Sequence, residues 1–172
     1  MTSEREILNL LYEYCWLVDQ GRYEEIGELF AEADIYFGET LAYSHDKAAF
    51  AGMFAGSNIS YAPDDTPRTI HMCIDPVIVV DEAAGTAKAK HYTVVVQGIP
   101  DVMKPQVIVM DVKYDTFKRG ADGKWKFASR VMGSRCAGDV SHHQKAFDPS
   151  YFAPRILFTP RSSATLSFKS DF

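Results

Sequence analysis

The chain has only three cysteines, Cys15, Cys73 and Cys136, far apart and without a CxxC spacing. Neither a disulfide framework nor a zinc knuckle can organise it. It has no run of lysines or arginines, and its net charge is −5. A nucleic-acid partner is not indicated, because phosphate backbones call for a basic face. No apolar stretch approaches the roughly 20 residues that span a bilayer. The opening Met1-Thr2-Ser3-Glu4 lacks the basic-then-apolar pattern of a secretory leader, so the expected setting is cytoplasmic. GxGxxG, P-loop and GxSxG signatures are absent, as are internal repeats.

What is present is an ordinary core composition. Apolar residues make up 47% and charged residues 24% of 172 positions, enough for one core without crosslinks or metal. Ser3 and Glu6 have capping-box spacing and predict a helix over residues 4–20. Ile7, Leu8, Leu11, Tyr14, Cys15 and Val18 form its apolar stripe, and Gly21 can end it. A second helix is expected over 23–30, a short strand over 33–37, and a third helix capped by Asp46. The period then changes to two. Residues 69–80, 86–97, 107–117 and 124–135 read as long strands, with turns at 81–85 and 119–123. Helices followed by a run of strands predict an α+β fold, a curved antiparallel sheet wrapped over three N-terminal helices. The apolar stretch from Ala137 onward should lie against a neighbouring surface. The expected division is a domain over 1–136 and a C-terminal extension over 137–172.

Two residues stand out chemically. Asp19 falls in the last turn of the first helix, where the carbonyl dipoles disfavour a carboxylate. It is either a turn residue facing water or an acid with a positive partner. His71 lies in the apolar strand Thr69-Ile70-His71-Met72-Cys73. Its neutral ring suits either a satisfied core histidine or a general base, and a nearby carboxylate would favour the base. His91 shares one side of its strand with Thr93, Val95 and Gln97. Lys88 and Lys90 take the other side, which makes the His91 side the inner one. Asp111, Lys113 and Asp115 alternate with Ile108, Met110, Val112 and Tyr114, and the simplest account is a solvated polar side. Tyr12, Tyr14, Trp16 and Tyr36 suffice to line an apolar pocket. His142-His143, beside Asp139 and Asp148, lacks a second ligand pair at metal-site spacing, so no metal is expected.

The stretches LYEYCWLVDQGRYEEIGELFAEADIYF, PRTIHM and YDTFKRGADGKWKFASR resemble the SnoaL-like, scytalone dehydratase-like group of the nuclear transport factor 2-like superfamily. The resemblance spans about residues 5–136. It implies a cone-shaped, cystatin-like sheet whose helices close a hydrophobic pocket. In scytalone dehydratase, hexachlorocyclohexane dehydrochlorinase and bile-acid 7α-dehydratase, an Asp ending the first helix pairs with a His on this strand. Asp19 and His71 fall on those positions. Tyr14 falls on a pocket tyrosine of the bile-acid enzyme, Arg130 on a pocket arginine of the dehydrochlorinase, and Arg135 near an arginine of the dehydratases.

There are departures. Gln97 stands where scytalone dehydratase has a second histidine. By the same alignment, Lys113 replaces an inward tyrosine and Asp111 a polar pocket position, giving a more polar pocket.

The resemblance implies a cofactor-independent lyase of dehydratase type, with Asp19, His71, Tyr14 and Arg130 catalytic. His91, Gln97, Asp111, Lys113 and Arg135 would bind a small hydrophobic cyclic, polyketide-like or steroid-like substrate. An isomerase or cyclase would need the same base. A non-catalytic small subunit of a ring-hydroxylating dioxygenase shares the fold. A homo-oligomer is implied, a trimer before a dimer, and no metal, membrane or nucleic-acid partner.

Overall fold

A computed structural model describes residues 1–146. Its elements are α1 (Ser3–Asp19), α2 (Tyr23–Leu29), β1 (Asp34–Phe37), β2 (Thr40–Ser44) and α3 (Lys47–Ser57). Then come β3 (Thr69–Asp81), β4 (Thr86–Ile99), β5 (Met103–Arg119), β6 (Trp125–Met132) and β7 (Ser134–Ala137). The expected extension over 137–172 falls largely outside the described residues. No described helix is long and apolar enough to cross a membrane.

The N-cap of α1 is Thr2, one residue before the expected cap. Its side chain accepts the Arg5 amide, while the Ser3 hydroxyl accepts from the Arg119 guanidinium instead. Ile7, Leu11, Tyr14, Cys15 and Val18 are buried along one stripe. Tyr12 and Trp16, expected as pocket aromatics, are 38% and 67% exposed and point away from it. At the far end, Gly21 takes φ +67°, and the Gly21 and Arg22 amides bond back to Val18 and Leu17 carbonyls. A side chain there would be strained and would meet the Asp65 carbonyl.

The strands form one open, curved sheet in the order β2-β1-β6-β5-β4-β3, with β7 on β5. The expected all-antiparallel sheet is corrected at one place: β1 runs parallel to β6, pairing Ile35 with Arg130, so the sheet is mixed. The short β2, mostly exposed, was not expected, and the region expected as one strand over 124–135 is broken between β6 and β7.

On β5 the structure decides between a solvated side and the inward placement that the resemblance implied for Asp111 and Lys113. Asp111, Lys113 and Asp115 are 6%, 3% and 0% exposed, so their side faces inward rather than to solvent. The cause is a bulge. Val95 pairs with Val109 and Val96 with Val107, leaving Ile108 as an extra residue. An extra residue flips the alternation beyond it, and Ile108 is buried against Val95 while Met110 is exposed. Across the ladder, Thr93, His91, Ala89 and Ala87 stand opposite Asp111, Lys113, Asp115 and Phe117.

Inside the sheet lies an aromatic core in which Phe30 stacks on Phe127 at 4.2 Å and Phe117 follows at 4.8 Å from Phe127. A second, smaller cluster of Val95, Ile108 and Val140 sits further along the strands. The inward polar residues of β4 and β5 lie between these clusters. On the outer face, Ile70, Met72, Val77, Val79, Tyr92, Val107 and Met110 are exposed.

Candidate active site

Asp19 is the final residue of α1, and α1 packs against β3, which brings it to the start of that strand. Asp19 Oδ1 lies 2.6 Å from His71 Nδ1 and accepts the Thr69 hydroxyl at 2.8 Å. Oδ2 accepts the His71 backbone N–H at 2.8 Å. A carboxylate only accepts, so Nδ1 carries the proton and Nε2 keeps its lone pair. Three donors also answer the unfavourable helix end. His71 and Asp19 side chains are 9% and 17% exposed, so the pair is reachable yet largely shielded.

Behind this pair lies a buried charged layer. Arg130, fully buried, donates through Nε to Asp115 Oδ1 at 2.6 Å and through Nη2 to Oδ2 at 3.0 Å. Its guanidinium also faces the Tyr14 ring at 4.2 Å and the Phe30 ring at 4.8 Å. Burial would push Asp115 up, but Arg130 and the His91 hydrogen bond outweigh it and hold the carboxyl down to about 2. Burial opposes the charge of Arg130 too, and Asp115 more than restores it, holding its pKa above the usual value.

His91 is 3.2 Å from Asp115 Oδ2 through Nε2, while Thr93 Oγ1 lies 3.5 Å from Nδ1. A proton on Nε2 serves Asp115, while Nδ1 faces both the Thr93 hydroxyl and, at 3.3 Å, the Tyr92 carbonyl. Lys113 donates to Asp111 Oδ2 at 2.5 Å. Burial alone would lower Lys113, but Asp111 and the Tyr14 hydroxyl keep it above the ordinary lysine value. Burial raises the Tyr14 pKa, against the opposing pull of Lys113 and Arg130.

The structure thus gathers Asp19 and His71 at one place and Tyr14, Arg130, His91, Asp111 and Lys113 at another, on the same inward side. Gln97 is fully buried and donates Nε2 to the carbonyls of Pro67 and His142, at 2.9 and 3.0 Å. Arg135 is not brought in. It is exposed on β7, with its guanidinium 6.0 Å from the outward Tyr92 ring, because this strand pairs with β5 on a shifted register.

Sequence reasoning missed two groups. Thr69 needs only its two-residue spacing from His71 to share its face. His143, set aside with His142 as a weak metal motif, is 7% exposed, and the adjacent His142 carbonyl is held by Gln97, which stands opposite Thr69. The only sequence signal was Val140, one turn earlier and also buried. Among the described residues no three His, Cys, Asp or Glu side chains group as metal ligands.

Five buried side-chain polar atoms among the described residues lack a hydrogen-bond partner. Four are Gln97 Oε1, Asp111 Oδ1, Arg130 Nη1 and His143 Nδ1, all on residues of this region. Buried polar atoms are rarely left so, and their concentration here sets this region apart from the rest of the core. An open surface cleft of about 570 Å³ at the β4–β5 turn, lined by residues 98–105, contains none of these residues.

The model of the SnoaL-like domain matches residues 1–131 of the sequence. The chain belongs to the SnoaL-like family. Among solved structures, this SnoaL-like chain is similar to an NTF2-like protein with a cystatin-like fold from Novosphingobium aromaticivorans. The two share 21% identity over 81% of this chain and 85% of the other, with a TM-score of 0.60. A candidate scytalone dehydratase from the same organism shares 16% identity over 79% and 86%, with a TM-score of 0.61. ActVI-ORFA of Streptomyces coelicolor shares 18% over 76% and 96%, also at 0.61. At these identities the structures establish the fold. No curated protein matches the sequence.

Proposed function

We propose that this SnoaL-like protein is a cofactor-independent lyase of dehydratase type acting on a small hydrophobic cyclic substrate. The observation that carries the reading is the Asp19–His71 contact at 2.6 Å, with Asp19 held in turn by Thr69 and the His71 amide. His71 Nε2 removes a proton from a carbon next to a carbonyl or aromatic group. The C–H electron pair becomes the new double bond, the C–O bond β to the carbonyl breaks, and the departing hydroxyl takes the proton back from His71 as water. Asp19 fixes the tautomer and stabilises the imidazolium. Arg130 Nη1 and the Tyr14 hydroxyl support the developing negative charge on the substrate oxygen. The family's fold and its likeness to a candidate scytalone dehydratase support this reading.

The test is water loss from a panel of cyclic β-hydroxy ketones, read by mass spectrometry with wild type and His71→Ala. Wild type should dehydrate one or more of them and the variant none. Near-wild-type turnover in the variant would sink the mechanism.

Assembly with further copies, a trimer first, belongs to the same proposal. The exposed apolar row of Ile70, Met72, Val77, Val79 and Tyr92 supports it, since such patches usually meet another surface. Met72→Glu should then lower the mass measured by light scattering.

A further inference from the structure

The segment after β7 is tied down from several sides. The Gly138 amide bonds to the Ile108 carbonyl at 2.8 Å, and the His143 and Gln144 amides close a turn on the Val140 carbonyl at 2.9 Å. Asp139 Oδ1 accepts the Ser141 amide at 2.9 Å. The Ile59 amide donates to the His143 carbonyl at 2.9 Å, and the Lys145 amide to the Ser57 carbonyl at 2.8 Å. The His142 carbonyl accepts both the Tyr61 hydroxyl, at 2.5 Å, and Gln97 Nε2, at 3.0 Å. Residues 138–145 therefore bridge the end of α3 to β4 and β5, and hold the His143 backbone in one place.

That backbone delivers an imidazole with an unanswered polar atom. His143 Nδ1 is buried without a partner, although a buried histidine ordinarily makes at least one hydrogen bond. The site is next to it: Gln97, which holds the neighbouring His142 carbonyl at 3.0 Å, stands opposite Thr69 across the β3–β4 ladder, and Thr69 donates to Asp19 at 2.8 Å. No described set of side chains around it offers a metal the three ligands it would need. Burial first, then the charge of His71, pull its pKa down to about 4, so at neutral pH the ring has one N–H and one lone pair.

We infer that His143 is a third polar member of the site, hydrogen-bonding an uncharged ketone or hydroxyl oxygen of the substrate next to the carbon that His71 deprotonates. The inference rests on the reading of His71 as base and adds to it a further residue that positions the substrate through its nearest oxygen. An uncharged ring can donate to a carbonyl or exchange donor and acceptor with a hydroxyl. A carboxylate would instead sit beside Asp19 without a compensating charge.

The experiment follows deuterium entering the α-carbons of 2-tetralone in D₂O by NMR, catalysed by wild type, His71→Ala, His143→Phe and His143→Gln. Phe fills the space without polar atoms, and Gln keeps a neutral donor and acceptor. Wild type should exchange and His71→Ala should not. His143→Phe should lose about tenfold or more in rate at low ketone, mainly through KM, with Gln restoring most of it. A His143→Phe protein as active as wild type, beside an inactive His71→Ala, overturns the role of His143 alone. Exchange unchanged in His71→Ala, or absent in wild type, overturns the base and this inference with it. Should His143→Phe fail to fold, ¹⁵N NMR of the wild-type imidazoles decides. The His143 ring signals must shift on adding 2-tetralone, and unmoved signals refute the contact.

Discussion

Asp19 holds His71 twice, once by the ring and once by the main chain. Oδ1 meets Nδ1 at 2.6 Å and Oδ2 accepts the residue's own amide at 2.8 Å. The carboxylate therefore fixes ring orientation and strand position together. A helix end that ought to repel an acid becomes a place where one is held by three donors.

Replacing Asp19 by Asn keeps the shape but admits the wrong histidine tautomer. Turnover should fall by about 10⁴, the loss seen when a catalytic histidine's orienting Asp becomes Asn. Steady-state kinetics beside a circular dichroism spectrum separate this from unfolding. A variant within tenfold of wild type would remove Asp19 from the mechanism.

Arg130 and Asp115 are both fully buried, and each is the other's principal counter-charge. Arg130→Met leaves a carboxylate in the core, so urea denaturation should show a loss of about 3–5 kcal/mol. The double variant Arg130→Met with Asp115→Leu should recover a large part. An additive double variant would show that the pair is not coupled.

The thiols offer a direct check of the packing. Burial pushes the Cys15 thiol up to about 11 and the Cys73 thiol up to about 12, whereas Cys136 is exposed. The thiolate is the reactive form. At pH 8 a disulfide reagent should label Cys136 within minutes and reach the other two only after denaturation. Fast labelling of Cys73 would contradict the inward face of β3.

His143 also gives stability a pH dependence. Its native pKa is about 4 against an ordinary 6.5. Between these values the unfolded chain binds a proton that the native ring refuses, so stability falls as pH drops through this window. The fall between pH 7 and pH 5 should be about 2 kcal/mol from this group. His143→Gln should lack that part of the fall in urea titrations at the two pH values. Asp115 acts later. Its carboxyl is held down to about 2, so its contribution is intact above its ordinary value of 3.8 and is lost as pH falls through about 2.

Much of the fold was legible because periodicity is local. The stripe of α1, the capping Asp46 and the long alternating strands each follow from residues within a few positions of one another. So did the two candidates, Asp19 at a helix end and His71 on an apolar strand, and the inner side of β4. The reading of Asp111, Lys113 and Asp115 as a solvated side failed for one reason, whereas the resemblance had implied the inward placement of Asp111 and Lys113. Alternation assigns two faces but does not say which is inside, and the bulge at Ile108 that decides it arises from pairing with β4. Arg135 fell outside the site for a similar reason, the register of β7 on β5.

The sequence by itself determined which elements form and which side chains share a face, since both depend on spacing along the chain. Only the tertiary structure decided which faces meet. The 2.6 Å contact between Asp19 and His71 spans 52 positions, and the His142 carbonyl meets Gln97 of β4 from beyond the last strand. Such distances are set by sheet register and helix packing, which no local pattern encodes.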